Sequence, residues 1–307
     1  MNPTIIGLFS VVVWGIALPF IRIFESQIGP VAYLGVMYTS IGTMGVINHV
    51  ARRRPLPRGI FRNPNLYGRW LFFVLHEALL MFSIAIVQKE HMPFLILINY
   101  LWPTAIIVCS VLLAGVKITR WWSFILGSLV VIASMANEIL GPSGLSPDLF
   151  ARTADCLAYA MTFGGAVSWG LYCALSRRAG DATGGSTMIP VFQLTLGLLL
   201  PVSFMPGMAT WGGLTAWGPL ILAVYCFIQF LAYQSWDHGM RRGNVIVLSL
   251  CADFIPWLSL LSANLLLGVD IGGRTVISAI SLVMGAMITR YGTLHKKAME
   301  PLDMAEP

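Results

Sequence analysis

The chain has 307 residues, of which 57% are hydrophobic and only 10% are Asp, Glu, Lys or Arg. A soluble domain carries about 25% charged residues, so this chain cannot cover a water-facing shell and most of its surface must face lipid. Ten spans of ~20 apolar residues would use roughly 200 positions, which leaves short loops and excludes a separate soluble catalytic or DNA-binding domain. The formal charge of +6 is therefore assigned to cytoplasmic loops and not to a nucleic acid partner.

In chain order, apolar segments of spanning length cover 4–23, 30–50, 67–88, 92–116 and 121–137. The first has no basic residues before it and no small-residue cleavage pattern after it, so it reads as a retained helix and not a signal peptide. Gly141-Pro142-Ser143-Gly144 and Ser146-Pro147 then give a loop composition that divides the chain. Five more segments follow at 155–176, 187–205, 214–237, 244–269 and 275–291, the seventh interrupted by Pro190 and Pro201. The expected fold is an all-α integral membrane protein of ten transmembrane helices. Its expected parts are a five-helix unit over 1–140, a periplasmic connector over 141–154, a second five-helix unit over 155–293 and a cytoplasmic tail over 294–307.

Loops rich in Lys and Arg stay cytoplasmic. With the N-terminus inside, fifteen of the nineteen Lys and Arg fall on the inner side, leaving only Arg22, Lys89, Arg152 and Arg274 outside. Both termini are expected in the cytoplasm. A missed or invented span would have inverted every later loop and scattered this bias.

The two halves also repeat. Val13-Trp14-Gly15 returns as Ser168-Trp169-Gly170, an offset of 169 − 14 = 155, and Pro103 with Gly115-Val116-Lys117-Ile118 returns as Pro256 with Gly268-Val269-Asp270-Ile271, both at 256 − 103 = 153. Five spans per unit is an odd number, so the second unit enters the membrane from the opposite side. Inverted repeats of this kind are common in secondary transporters, whose sites lie near the midplane between the halves.

An ionisable residue at that depth costs at least ~2.5 kcal/mol and is a functional candidate. Glu77 sits near the middle of the third segment beside His76, with no Lys or Arg within a helical turn. It can hold a substrate ammonium, carry a proton, or make a structural hydrogen bond to a neighbouring helix. His76 is read as a helix tether, and Asp253, nearer the cytoplasmic end of the ninth segment, is a second acid within reach of water. Pro103 and Pro256 remove the N–H that would bond the carbonyls of Asn99 and Ala252, and free backbone at this depth needs protein or a water-filled cavity around it. They are candidate kinks or gates.

Of the ten tryptophans, Trp70, Trp121, Trp122, Trp211, Trp217 and Trp236 are assigned to the interfacial belts, whereas Trp14, Trp102, Trp169 and Trp257 are interior. Helical spacing groups Asn99 with Trp102, Ser10 with Trp14, Trp169 with Tyr172, and Gln229 with Tyr233. Tyr100 and Trp102 are about 200° apart on an ideal helix, so both reach one cavity only if Pro103 distorts the turn. Aromatic faces with a few amides, hydroxyls and one acid suit a small, flat, amphiphilic solute. A sugar phosphate fits poorly, because no cation lies at mid-depth.

The five cysteines are widely spaced, the five histidines form no metal-binding pattern, and there is no Gly-x-Ser-x-Gly or P-loop. No metal or cofactor is expected, and a membrane-embedded enzyme is disfavoured against a transporter.

Asn99-Tyr100-Leu101-Trp102-Pro103, Trp169-Gly170-Leu171-Tyr172-Cys173, and Trp236-Asp237-His238-Gly239 leading to Gly243-Asn244-Val245 resemble the YddG-type aromatic amino acid exporters, which belong to the drug/metabolite transporter superfamily with tandem EamA repeats. The resemblance covers nearly the whole chain. It implies ten helices, a bacterial inner-membrane location, a chain that works as a monomer, and export of aromatic and related neutral amino acids by alternating access. The cavity it implies is lined by spans one, three, four, six, eight and nine, which gives Trp14, Glu77, Tyr100, Trp102, Trp169 and Tyr233 candidate roles, with His76, Asn99 and Tyr172 beside them. His76 and Asp253 depart from that family, as do Lys117 and Asp270, where many EamA repeats carry a Glu after the fourth helix. The alternative reading is a drug/metabolite transporter for other small amphiphilic solutes, such as multidrug or nucleotide-precursor efflux.

Overall fold

The computed structural model describes residues 2–52, 60–113, 115, 117–141, 144, 145, 147–179, 188–242, 248 and 251–292. Gly243-Asn244-Val245, Arg53, Arg54, Arg58 and the tail 294–307 lie outside the described residues. The helices are α1 (Pro3–Ile28), α2 (Pro30–Ala51), α3 (Pro64–Ile86), α4 (Met92–Asn99), α5 (Trp102–Leu113), α6 (Trp121–Ile139), α7 (Thr153–Ala179), α8 (Ile189–Gly197), α9 (Leu199–Val202), α10 (Gly218–Arg242), α11 (Ile255–Leu267) and α12 (Gly273–Tyr291). They occupy the ten predicted segments, with α4 and α5 making the fourth and α8 and α9 the seventh. A two-residue antiparallel pairing of Leu140 with Leu145 and Gly141 with Gly144 closes the central loop.

Among the described residues, six helical stretches are each long and apolar enough to cross a membrane: Pro3–Ile28, Pro30–Ala51, Pro64–Ile86, Lys89–Leu113, Trp121–Ile139 and Gly218–Trp236. Their outer faces keep large apolar side chains uncovered, Val12, Phe227, Ile132 and Leu112 among them. Exposing such groups to water costs roughly 25 cal/mol per Å², and facing them to hydrocarbon removes that cost.

The helix ends follow local chemistry. Asn2 caps α1 through its side chain to the Thr4 N–H at 2.9 Å, with Pro3 in the first turn, where a missing N–H is harmless. Gly29 at φ 84° turns the chain sharply into Pro30 and α2, and its N–H bonds the Glu25 carbonyl.

Internal prolines leave carbonyls unbonded, and neighbouring side chains take them up. Pro19 cannot bond the Gly15 carbonyl in α1, which instead accepts from the Ser259 hydroxyl at 2.9 Å and the Ser262 hydroxyl at 3.3 Å. Pro201 likewise cannot bond Gly197; α8 stops there, and that carbonyl accepts from Thr39 on α2 at 3.0 Å.

The heaviest packing pairs α3 with α7, α6 with α12, α1 with α10, α2 with α8, α5 with α7, and α1 with α11. Small residues permit the closest of these approaches. A Cβ on Gly127 of α6 would stand 2.6 Å from the Gly285 carbonyl of α12, so neither backbone leaves room for a side chain.

Three basic residues sit differently from the loop assignment. The first helix extends through residue 28, so Arg22 is helical, and its Nη1 donates to the carbonyls of Ile84 at 2.5 Å and Ala85 at 2.6 Å at the end of α3. Those carbonyls belong to the last helical turn, which favours a cation. Arg69 is buried within α3 and donates to the Ser176 hydroxyl at 3.0 Å. Arg290, within α12, bonds Asp253 at 2.8 Å.

Candidate functional site

A cavity opens among α1, α2, α3, the α4–α5 break, α7, α10 and the start of α11. Trp14, His76, Glu77, Asn99, Tyr100, Trp102, Trp169 and Tyr233 line it together. Tyr172 does not. It lies one turn beyond Trp169 and leans toward α3, edge-on to Phe73 at 5.5 Å, with the Arg69 guanidinium 5.8 Å from its ring centre.

Glu77 is buried and fully bonded. Its Oε2 accepts from the Tyr38 hydroxyl at 2.6 Å and its Oε1 from the Tyr233 hydroxyl at 2.8 Å. One phenol comes from α2 and the other from α10, so the carboxylate joins three helices at the cavity wall. Tyr233 in turn meets Trp14 edge-on at 5.5 Å, and Trp236 lies 5.3 Å from Trp14. Trp236 is therefore a cavity residue and not part of an interfacial belt: α10 continues past it to Arg242 and carries it inward.

His76 acts as the expected tether, its Nδ1 2.9 Å from the Gly165 carbonyl of α7, and its ring lies 4.7 Å from Trp169. The fourth segment breaks at Tyr100 and Leu101, one turn before Pro103. That break re-aims the chain so that Tyr100 and Trp102 reach one cavity, as an unbroken helix would not allow. The Tyr100 hydroxyl is 2.8 Å from the Ser259 hydroxyl, which itself bonds the Gly15 carbonyl freed by Pro19. Asn99 keeps its Oδ1 buried without a hydrogen-bond partner among the described residues, an acceptor still available at the wall.

Pro256 stands in the first turn of α11, after a break at Asp253 and Phe254. With Tyr100, Pro103 and Asp253 it lines a second, small cavity. Asp253 is thus not a lone acid open to water: it is buried and ion-paired with Arg290 from α12.

Tyr38, Tyr225, Gln229 and Trp236 complete the main cavity but were not among the predicted site residues. For α10 the signal was present. Residues 225, 229, 233 and 236 fall on one helical face, and the Gln229 amide donates to the Tyr225 hydroxyl at 2.9 Å.

Residues 157–291 match the EamA-like transporter family. Over the wider chain, similarity extends to the aromatic amino acid exporter YddG of Escherichia coli (strain K12), 27% identical over 95% of each chain. The YddG exporter of Salmonella typhimurium (strain 14028s / SGSC 2262) is 26% identical over 95% of this chain and 98% of its own. A crystal structure 21% identical in sequence superposes with a TM-score of 0.64, covering 95% of this chain and 98% of that one, and shares the fold. Together with the apolar helices, these matches make the chain a multi-pass membrane protein and point to a transporter rather than an enzyme.

Proposed function

We propose that this protein exports aromatic and related neutral amino acids across a bacterial inner membrane, by alternating access around the cavity at Glu77. The observation that carries this reading is the make-up of that cavity: one buried carboxylate bonded by Tyr38 and Tyr233, beside the indoles of Trp14, Trp102 and Trp169. A carboxylate attracts an ammonium group, and flat indole faces attract aromatic rings and cations. The Asn99 Oδ1, unbonded among the described residues, is a further acceptor for that ammonium. The names of the relatives support the same solute class.

Two inverted five-helix units over 1–140 and 155–293 are supported by which helices pack together. Numbering the spans one to ten, three packs on six and eight on one; four packs on six and nine on one. Two packs on seven and five on ten, pairs that map onto themselves. Each of these six pairings therefore has its counterpart under exchange of the halves, as expected of an inverted repeat. The positive-inside bias supports cytoplasmic termini, and the cavity's enclosure within one chain is compatible with a working monomer.

The test is purified protein in liposomes with a solute panel. Loading with labelled phenylalanine, tryptophan, alanine, a nucleoside and a lipophilic drug cation is expected to give saturable flux of unmodified phenylalanine and tryptophan, weaker for alanine. Flux of the drug or nucleoside alone would instead favour the broader drug/metabolite reading.

A further inference from the structure

The face of α1 that lines the cavity continues beyond it. Trp14, Leu18 and Ile21 line the wall, and Glu25 is the next position on that face, at the spacing 4, 3, 4. Glu25 is 4% exposed, and neither of its carboxyl oxygens has a hydrogen-bond partner among the described residues. Arg22, three residues earlier, acts on it through space, but the Nη1 of Arg22 is bonded to the Ile84 and Ala85 carbonyls. A buried carboxylate without hydrogen-bond donors carries a desolvation cost that the charge of Arg22 offsets only in part.

What separates Glu25 from the cavity is a cluster of rings. Phe24 stacks on Tyr33 at 6.2 Å and lies 5.6 Å from Tyr225, which is 5.7 Å from Phe20. The Tyr33 hydroxyl donates to the Met37 sulfur at 2.8 Å and the Tyr225 hydroxyl accepts from Gln229 at 2.9 Å, and both residues are near enough to Glu25 to feel its charge. Tyr225 also lines the cavity and is followed along α10 by Gln229 and Tyr233, the last bonded to Glu77. A polar ladder thus leads from Glu77 past the aromatic cluster toward Glu25. Its two end tyrosines are eight residues apart, about 12 Å along the helix.

From this arrangement we infer that Glu25 is a second ammonium-binding station on the exit side, reached when the Phe20, Phe24, Tyr33 and Tyr225 rings part. The inference rests on the amino-acid export reading. The exit side is the side reached by the C-terminal end of α1, which carries Arg22; by the loop assignment it holds only Lys89, Arg152 and Arg274 besides, so it is the side poor in basic residues and outermost. A solute that leaves Glu77 then meets a carboxylate whose hydrogen bonding it completes while it passes.

The test compares wild type, Glu25→Gln and Glu25→Asp in proteoliposomes, using counterflow of labelled phenylalanine and of labelled phenylethylamine. Phenylalanine binding in detergent is read separately from the tryptophan fluorescence of the cavity. Glu25→Gln keeps the shape and loses the charge, so binding to the cavity is expected to stay within about twofold while counterflow of both solutes falls about tenfold, the loss of one charge-assisted contact. Glu25→Asp keeps the charge and is expected to retain more flux than Glu25→Gln. The reverse order, with Gln active and Asp impaired, would assign Glu25 a role in packing and overturn the station. Retained Glu25→Gln counterflow with loss of its response to a pH gradient would replace the station by a proton site. If the wild type moves phenylethylamine but no amino acid, the export reading fails while the Glu25 comparison still stands on the amine. If it moves neither, both fail.

Discussion

Both oxygens of Glu77 are occupied by phenol hydroxyls from different helices, so the ammonium proposed to bind there would join an arrangement that is already held in place. Removing either donor leaves one buried oxygen unmatched, at a cost of about 1.5–3 kcal/mol for a bond to a charged group. Tyr38→Phe and Tyr233→Phe are each expected to lower thermal stability in detergent and weaken phenylalanine binding, and a wild-type melting curve for both would remove the carboxylate from the role given to it. Glu77→Gln is expected to cost about tenfold or more in binding, by loss of the ammonium partner. Unchanged affinity and flux in that variant would leave only a structural hydrogen bond. For the indoles, Trp102→Ala is the cleaner probe, because Trp169 also packs on His76, Phe73 and Tyr172. It should weaken tryptophan and phenylalanine more than alanine, by roughly 0.5–1.5 kcal/mol beyond lost area, as read by competition binding. Glu77 and the interior tryptophans were legible in the sequence because charge and ring size at mid-depth are rare. Tyr38 was not: α2 mixes tyrosines, glycines and hydroxyls with no landmark, and depth alone does not say which face turns inward.

At the scale of the helix, the proline breaks act through partners that only folding brings near. The sequence says that Pro103 and Pro256 release carbonyls, and the structure breaks the helices at those points. Pro19 and Pro201 carry the same chemistry, but the hydroxyls that answer them, Ser259, Ser262 and Thr39, come from distant segments. The end of the first helix was misjudged for a related reason. Arg22 and Glu25 interrupt the apolar run, yet Arg22 finds the terminal carbonyls of α3 and the helix continues. Thr39→Val keeps the shape of the side chain and removes the donor to Gly197, leaving a buried carbonyl unmet at a cost of about 1–3 kcal/mol. The expected result is a lower melting temperature with unchanged solute selectivity. A shift in selectivity without loss of stability would mean that the α8–α9 break feeds into the cavity and does more than hold α2.

For the whole molecule, the counterpart packing of spans three on six and eight on one, and of four on six and nine on one, leaves the cavity walled by helices drawn from both halves. If the halves exchange roles, the closure now formed around Glu25 has an alternative on the opposite side, and the two arrangements are close in energy because they reuse similar contacts. Ligand can then shift the balance only by binding one state better than the other. A carrier of this kind returns faster when loaded than when empty, or at least returns through a loaded state. A channel has no such step. Liposomes preloaded with unlabelled phenylalanine are therefore expected to take up labelled phenylalanine several-fold faster at first than empty ones, and the label should transiently rise above its equilibrium level. Non-transported solute trapped inside should give no acceleration. Equal initial rates with and without internal phenylalanine, and a monotonic approach to equilibrium, would rule out alternating access around Glu77 and leave the cavity as part of a continuous pore.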